Sequence, residues 1–239
     1  DAITATVTDA VTVAEFNTLD GKTSTNVILS GGVSDAAAAY ASTTGTATSG
    51  RTAIAAQDGD AALTVTDAAT VAQANSVATA TTGTVQFSGG ITDSTTNLMN
   101  GDSSAISTGL STAKTDDSDV VITANTAVTV AQFNLLDAAT SSAIVLSGGI
   151  SDTAANLAPS GTASSGLTNS TTQDGDVAIT ITGTAPTVTE LNKIASLTTG
   201  VVTASISGNK TTLAGLDTAS TDAITATVTD AVTVAEFNT

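Results

Sequence analysis

The sequence predicts a β-rich repeat solenoid, in which stacked coils of parallel strands carry short capped helices along one side. Such an architecture is β-helix-like, or akin to a leucine-rich-repeat α/β solenoid. Three observations lead there. The hexapeptide Thr12-Val-Ala-Glu-Phe-Asn17 returns as Thr70-Val-Ala-Gln-Ala-Asn75, Thr129-Val-Ala-Gln-Phe-Asn134, Thr187-Val-Thr-Glu-Leu-Asn192 and Thr233-Val-Ala-Glu-Phe-Asn238. Its valines, Val13, Val71, Val130, Val188 and Val234, stand 58, 59, 58 and 46 residues apart, a regular spacing that marks a repeat array. The apolar 41% of the chain is mostly Ala, Val, Ile and Leu, with aromatics at only 2%, which suits a thin core sheltered between neighbouring repeats.

Aligned on this motif, the repeat units run 3–60, 61–119, 120–177 and 178–223, with a partial unit 224–239, along one continuous segment 1–239. Residues 1–18 are identical to residues 222–239. Identity of that length marks recent duplication of a 221-residue block, whereas the smaller repeats have drifted. The expectation is one superperiod plus the start of the next, taken from a longer protein, with neither end a native terminus.

Each unit opens on alternating apolar and hydroxyl residues, cleanest in Leu63-Thr-Val-Thr66 and Ile179-Thr-Ile-Thr182. Period-two alternation rich in β-branched residues reads as a strand. The anchor hexapeptide follows as a capping box. Thr12, Thr70, Thr129, Thr187 and Thr233 each cap a backbone N–H three residues on, and the Glu or Gln at that place reaches back. Val13, Phe16 and Leu19 then share a helical face, as do Val130, Phe133, Leu136 and Val188, Leu191, Ile194.

The asparagine closing the motif never varies: Asn17, Asn75, Asn134, Asn192 and Asn238. It reads as an internal ladder of amides satisfying backbone groups where the chain turns, with a ligand site as the alternative. A second strand and turn come next, as Val27-Ile-Leu-Ser-Gly-Gly-Val-Ser-Asp35, Val85 to Asp93 and Ile144 to Asp152. Paired glycines suit a tight bend or a left-handed backbone. The Ser or Thr with Asp then caps a second short helix, with Tyr40, Leu98 and Leu157 facing inward. Stretches rich in Gly, Ser and Thr, such as 42–50 and 160–166, read as surface loop. The fourth unit lacks that stretch, which accounts for its shorter step.

A net charge of −17, five Lys or Arg and no His argue against nucleic acid as a partner, because phosphate backbones are held by cationic side chains. Absence of cysteine excludes disulfides and thiolate metal sites. No run of about 18 apolar residues is present to span a membrane. Acidic pairs recur at one phase of the repeat, as Asp58 with Asp60, Asp117 with Asp119 and Asp174 with Asp176, and Asp222 stands at the matching place in the short unit. Two carboxylates around a turn offer hard oxygens to calcium, although no cofactor is required; the alternative is a solvated turn. The Gly-Gly-x-Ser-Asp element is not the calcium-binding nonapeptide, since its Asp comes one place early. Thr-x-Thr pairs such as Thr64 and Thr66 are explained by strand preference. No nucleophile elbow or phosphate loop appears, and the acidic pairs are periodic where an active site is singular, so no enzyme is expected.

Ile3-Thr-x-x-Val-Thr-Asp9, Val13-Ala-Glu-Phe-Asn-Thr-Leu-Asp-Gly-Lys-Thr23 and Ser34-Asp-Ala-Ala-Ala-Ala-Tyr-Ala41 together resemble the repeats of giant cell-surface proteins of marine cyanobacteria and other Gram-negative bacteria. Some of those serve motility, adhesion or surface filaments, often with type I secretion. The resemblance implies an extracellular, cell-surface setting. The expected function is that of a structural segment in a fibre, sheath or adhesin stalk, partnered along the fibre and sideways by copies of itself. The alternative is a calcium- or glycan-binding adhesive module.

Overall fold

The computed structural model of the chain describes residues 3–233. These fall into two compact units, 3–124 with Leu135–Ala143, and Asn125–Asn134 with 144–233. The elements run β1 (Ala5–Thr6), α1 (Val13–Asp20), β2 (Val27–Ile28), β3 (Val33–Asp35), α2 (Ala37–Tyr40), α3 (Ser49–Gln57), β4 (Leu63–Val65), α4 (Val71–Ala78), β5 (Val85–Phe87), β6 (Ile91–Asp93), α5 (Thr95–Leu98), α6 (Thr108–Asp116) and β7 (Ile122–Ala124). They continue with α7 (Val130–Asp137), β8 (Ile144–Val145), β9 (Ile150–Thr153), α8 (Ala154–Leu157), a 3-10 turn Pro159–Gly161, α9 (Ser165–Gln173), β10 (Ile179–Thr182), α10 (Val188–Ala195), β11 (Val202–Gly208), α11 (Lys210–Leu213) and β12 (Ala223–Val228).

All strand pairs are parallel. In the first unit β1 pairs with β2, β4 lies between β3 and β5, and β6 pairs with β7. In the second unit the order is β12-β11-β10-β9, with Ile179 opposite Ile150 on one side and Val202 on the other. Inward residues alternate along these strands as the pleat requires. Val202, Ala204 and Ile206 of β11 are buried and the residues between them exposed.

The core of the first unit gathers Phe16, Tyr40, Ile54, Leu63, Ile91, Leu98 and Leu110; that of the second gathers Phe133, Ile144, Ile150, Leu157, Leu167 and Leu191. Each large aliphatic or aromatic side chain so buried contributes about 1.5–3 kcal/mol. Tyr40, the one tyrosine, is fully buried, and its hydroxyl donates either to Val33 O at 2.9 Å or to Thr64 O at 3.1 Å. Burial, then the neighbouring Asp35 carboxylate, push its phenol well above the ordinary tyrosine range.

The paired glycines divide their labour. The second of each pair, Gly32, Gly90 or Gly149, has φ near +75°. The first has no room for a side chain: a Cβ at Gly31, Gly89 or Gly148 would lie 2.3, 2.1 or 2.1 Å from the carbonyl carbon of Asp9, Asp67 or Thr126. Backbone therefore crosses backbone at this turn, which only glycine permits.

The expected β-rich solenoid of stacked coils is not what forms. The fold is mixed α/β, with eleven α-helices and four small parallel sheets of two to four strands among the described residues. Two physical causes account for the difference. Most strands hold only two to four residues before a glycine turn or helix cap ends their pairing, so no single sheet extends along the chain. The Ser, Gly and Thr-rich stretches also do more than connect: each leads into a nine-residue helix, α3, α6 or α9, started by Thr48, Ser107 or Ser164 accepting the N–H of Arg51, Leu110 or Leu167. N-capping outweighs the weak helix propensity of those residues.

Candidate functional site

The anchor caps form as the spacing requires. Glu15 N–H donates to Thr12 Oγ1 at 3.2 Å while Thr12 N–H donates to the Glu15 carboxylate at 2.8 Å. Thr70 with Gln73, Thr129 with Gln132 and Thr187 with Glu190 repeat the pair at 2.8–3.3 Å. The backbone N–H of Thr12, and then its hydroxyl, hold the Glu15 carboxyl below the ordinary range. The cap expected at Thr233 opens on residues outside the described range, as does Asn238.

The same helices carry a second tether that the motif alone does not reveal. The Asp that closes each glycine turn spans two segments. Asp35, Asp93 and Asp152 accept the next residue's N–H through one oxygen at 2.8 Å, and through the other accept the first helical N–H of the anchor: Val13 at 3.0, Val71 at 3.0 and Val130 at 3.1 Å. Asn97 and Asn156 add amide donors to Asp93 and Asp152 at 2.7 Å. A carboxylate at a helix N-terminus is favoured by both the unpaired N–H groups and the dipole. The signal is present in the constant Gly-Gly-x-(Ser/Thr)-Asp spacing, but its second partner lies 22 residues upstream, beyond any local rule.

The acidic pairs are built on one plan. The first member is at least half-buried and the second exposed. Asp58, Asp117 and Asp174 each accept a strand N–H about a half-repeat earlier: Leu29 at 2.5, Phe87 at 2.6 and Leu146 at 2.8 Å. In the short unit Asp222 does so for Val202 at 2.9 Å. Burial, and then the adjoining Asp119 or Asp176, raise Asp117 and Asp174 above the ordinary carboxylate range, against the lowering pull of the donated N–H. Asp117 and Asp119 line a shallow cleft of about 310 Å³ with Thr84 and Gln86; Asp174 and Asp176 line one of about 360 Å³ beside Gly148 and Gly149. Calcium takes about six to eight oxygens, and among the described residues no group of three or more His, Cys, Asp or Glu side chains gathers to hold a metal ion. Each pair offers two carboxylates, of which one already accepts a backbone N–H.

The asparagines do not meet. Asn17 and Asn134 are exposed, Asn75 and Asn192 half-buried, and among the described residues no hydrogen bond joins one to another. Asn192 comes nearest to the expected amide role: its Nδ2 donates to Gly215 O at 2.8 Å and its Oδ1 accepts Asp217 N–H at 2.9 Å. The other three lie against the glycine that opens the following nine-residue helix. A Cβ at Gly50 would stand 3.1 Å from Asn17 Nδ2 and 2.3 Å from Val13 Cγ1; at Gly109, 3.3 Å from Asn75; at Gly166, 3.1 Å from Asn134. The constant Asn thus marks a close helix crossing.

A recess of about 500 Å³ in the first unit is lined by Thr43, Thr44, Thr70, Asn75, Asp93 and Ser107 among others. Its one carboxylate, that of Asp93, is held by three donors. No helix among the described residues is long and apolar enough to cross a membrane. Set against family models, curated proteins and solved structures, the chain matches none.

Proposed function

We propose that this chain is a structural repeat segment of a long extracellular bacterial surface protein, contributing to a fibre, sheath or adhesin stalk, and that it is not an enzyme. The observation that carries the reading is the identity of residues 1–18 with 222–239: an 18-residue tract recurs unchanged 221 residues on, within a chain whose capping motif itself recurs, a pattern that fits selection for length and repetition. The periodic carboxylates support it. Asp35, Asp58 and their counterparts are employed in holding backbone N–H groups, a structural use repeated in each unit. Acidic surface charge keeps such a segment soluble and turns away polyanions.

The test is immunogold labelling of intact and of permeabilised cells of the source organism, with antibodies raised against this chain. Label on the surface of intact cells is expected. Label confined to the interior of permeabilised cells would overturn the proposal.

A further inference from the structure

We propose that Asn100 is a site of self-modification: the Gly101 backbone nitrogen closes on the Asn100 side chain and expels ammonia, and water then leaves aspartate or isoaspartate in its place. Asparagine is thermally labile, and Asn100-Gly101 is the only asparagine–glycine pair in the chain. A glycine in second place brings no side chain to hinder the approach and lets the backbone bend into it.

The loop leaves both reacting groups available. Residues 99–106 join α5 to α6 as a hairpin closed by the antiparallel pair Met99 and Ile106, with Met99 buried. Inside it Asn100 N–H donates to Ala105 O and Ser103 N–H donates to Asn100 O, both at 2.9 Å. Gly101 is exposed, a Cβ on it would have nothing within 4 Å, and its N–H meets no acceptor among the described residues. Asn100 Oδ1 accepts Ala105 N–H at 3.2 Å, a contact that draws electron density from Cγ and favours the oxygen as it takes on charge under attack. Nδ2, the group that departs, is held by Ser104 Oγ alone, at 3.3 Å.

Water is the one co-reactant. Solvent base takes the Gly101 amide proton, the nitrogen bonds to Asn100 Cγ, the Cγ–Nδ2 bond breaks, and Nδ2 leaves with a proton as ammonia, giving a succinimide. Water then opens the ring at either carbonyl. One opening leaves aspartate; the other leaves isoaspartate, with the backbone running through Cβ and Cγ.

Comparable places are locked. Asp20-Gly21 ends α1, and Gly21 N–H donates to Asn17 O at 3.2 Å. At Asp58-Gly59 and Asp174-Gly175 the carboxylate accepts Leu29 or Leu146 N–H. After Asn97, Leu98 N–H donates to Ser94 O at 2.9 Å; after Asn75, Ser76 lies within α4. The preceding unit has Ser42 at the place of Asn100, and its Oγ accepts Thr46 N–H at 3.1 Å across the loop, as Asn100 Oδ1 accepts that of Ala105. The loop therefore asks only for an oxygen there, which aspartate also offers. Conversion adds a negative charge and keeps that bond. This goes beyond the surface-protein reading and holds wherever the protein resides.

The full chain, folded, is incubated in mildly alkaline buffer at physiological temperature, and samples taken over weeks are resolved by anion exchange and mapped by mass spectrometry after trypsin. Asn75, Asn97 and Asn100 share the tryptic peptide 52–114, cut after Arg51 and Lys114. A more acidic species is expected to accumulate, faster as pH rises, with its mass gain at Asn100 ahead of the other two. Gly101→Val has room for its side chain but crowds the attacking nitrogen, so it is expected to keep the parent's urea midpoint and lose the acidic species. A mass gain that comes first at another asparagine, an Asn100 that stays intact, or a folded Gly101→Val chain converting as fast as the parent would overturn the proposal.

Discussion

Residues 3–11 and 224–232 have one sequence and two environments. The first tract is covered on the edge carrying Val7 and Val11, by Ile28, Gly31, Gly32 and Ser34; the second is held on the opposite edge, by Gly208, while its valines face solvent. The difference teaches that nothing in the nine residues selects an edge. Alternating threonine and aliphatic residues offer two equivalent rows of backbone groups, and whichever segment lies alongside decides which row is used.

The comparison breaks most sharply at Gly31. A side chain there would meet the Asp9 backbone, so Gly31→Val is expected to lower stability by about 3 kcal/mol or more, read from the urea midpoint. The second tract's engaged edge carries no such crossing. Next in size is a proline at equivalent positions. Val7→Pro removes a donor in use and strands Ile28 O, for a loss of about 2 kcal/mol, whereas Val228→Pro removes a donor facing outward and should leave the unfolding midpoint unchanged. Equal effects at the two positions would refute the assignment of edges.

Asp222 tests the engaged side of the second tract. It accepts Val202 N–H and Ala219 N–H, both at 2.9 Å, so Asp222→Ala is expected to cost about 1.5 kcal/mol in thermal or urea unfolding. The smallest effect concerns pH. Asp117 and Asp174 are raised in the folded chain, so the fold binds more protons than the unfolded chain just above the ordinary carboxylate range. Stability therefore falls as pH rises through that window and levels off above it. Asp119→Asn with Asp176→Asn should flatten the slope in part, by less than about 1 kcal/mol, because burial is the first cause and stays. Neither pair touches the two tracts, so the contrast between Val7→Pro and Val228→Pro should be the same on both sides of the window.

Much of the local structure is legible in the residues. The capping boxes, the short helices with Tyr40, Leu98 and Leu157 inside, and the reason for paired glycines each follow from spacing within about five residues, where steric and capping rules act. The nine-residue helices are not legible, since Ser49-Gly-Arg-Thr and Ser165-Gly-Leu-Thr carry loop composition and become helical only under a cap and against Val13 or Val130. The sheets are half legible. Alternation at Leu63 to Thr66 marks a strand, but how many strands share one sheet depends on where pairing stops, and that is set by segments 20 to 30 residues away. At the acidic pairs the sequence shows the residue types and hides their employment. A carboxylate that accepts Leu29, Phe87 or Leu146 N–H has a partner that sequence distance conceals.

The buried hydroxyl of Tyr40 has a practical corollary. With no tryptophan and a single tyrosine in the chain, nearly all near-ultraviolet emission originates at one ring packed among Val33, Thr64 and their neighbours. Intrinsic fluorescence will therefore track the opening of that one locality and stay almost silent about the second unit. An alkaline titration should show tyrosinate absorbance appearing together with loss of structure, as a single cooperative step.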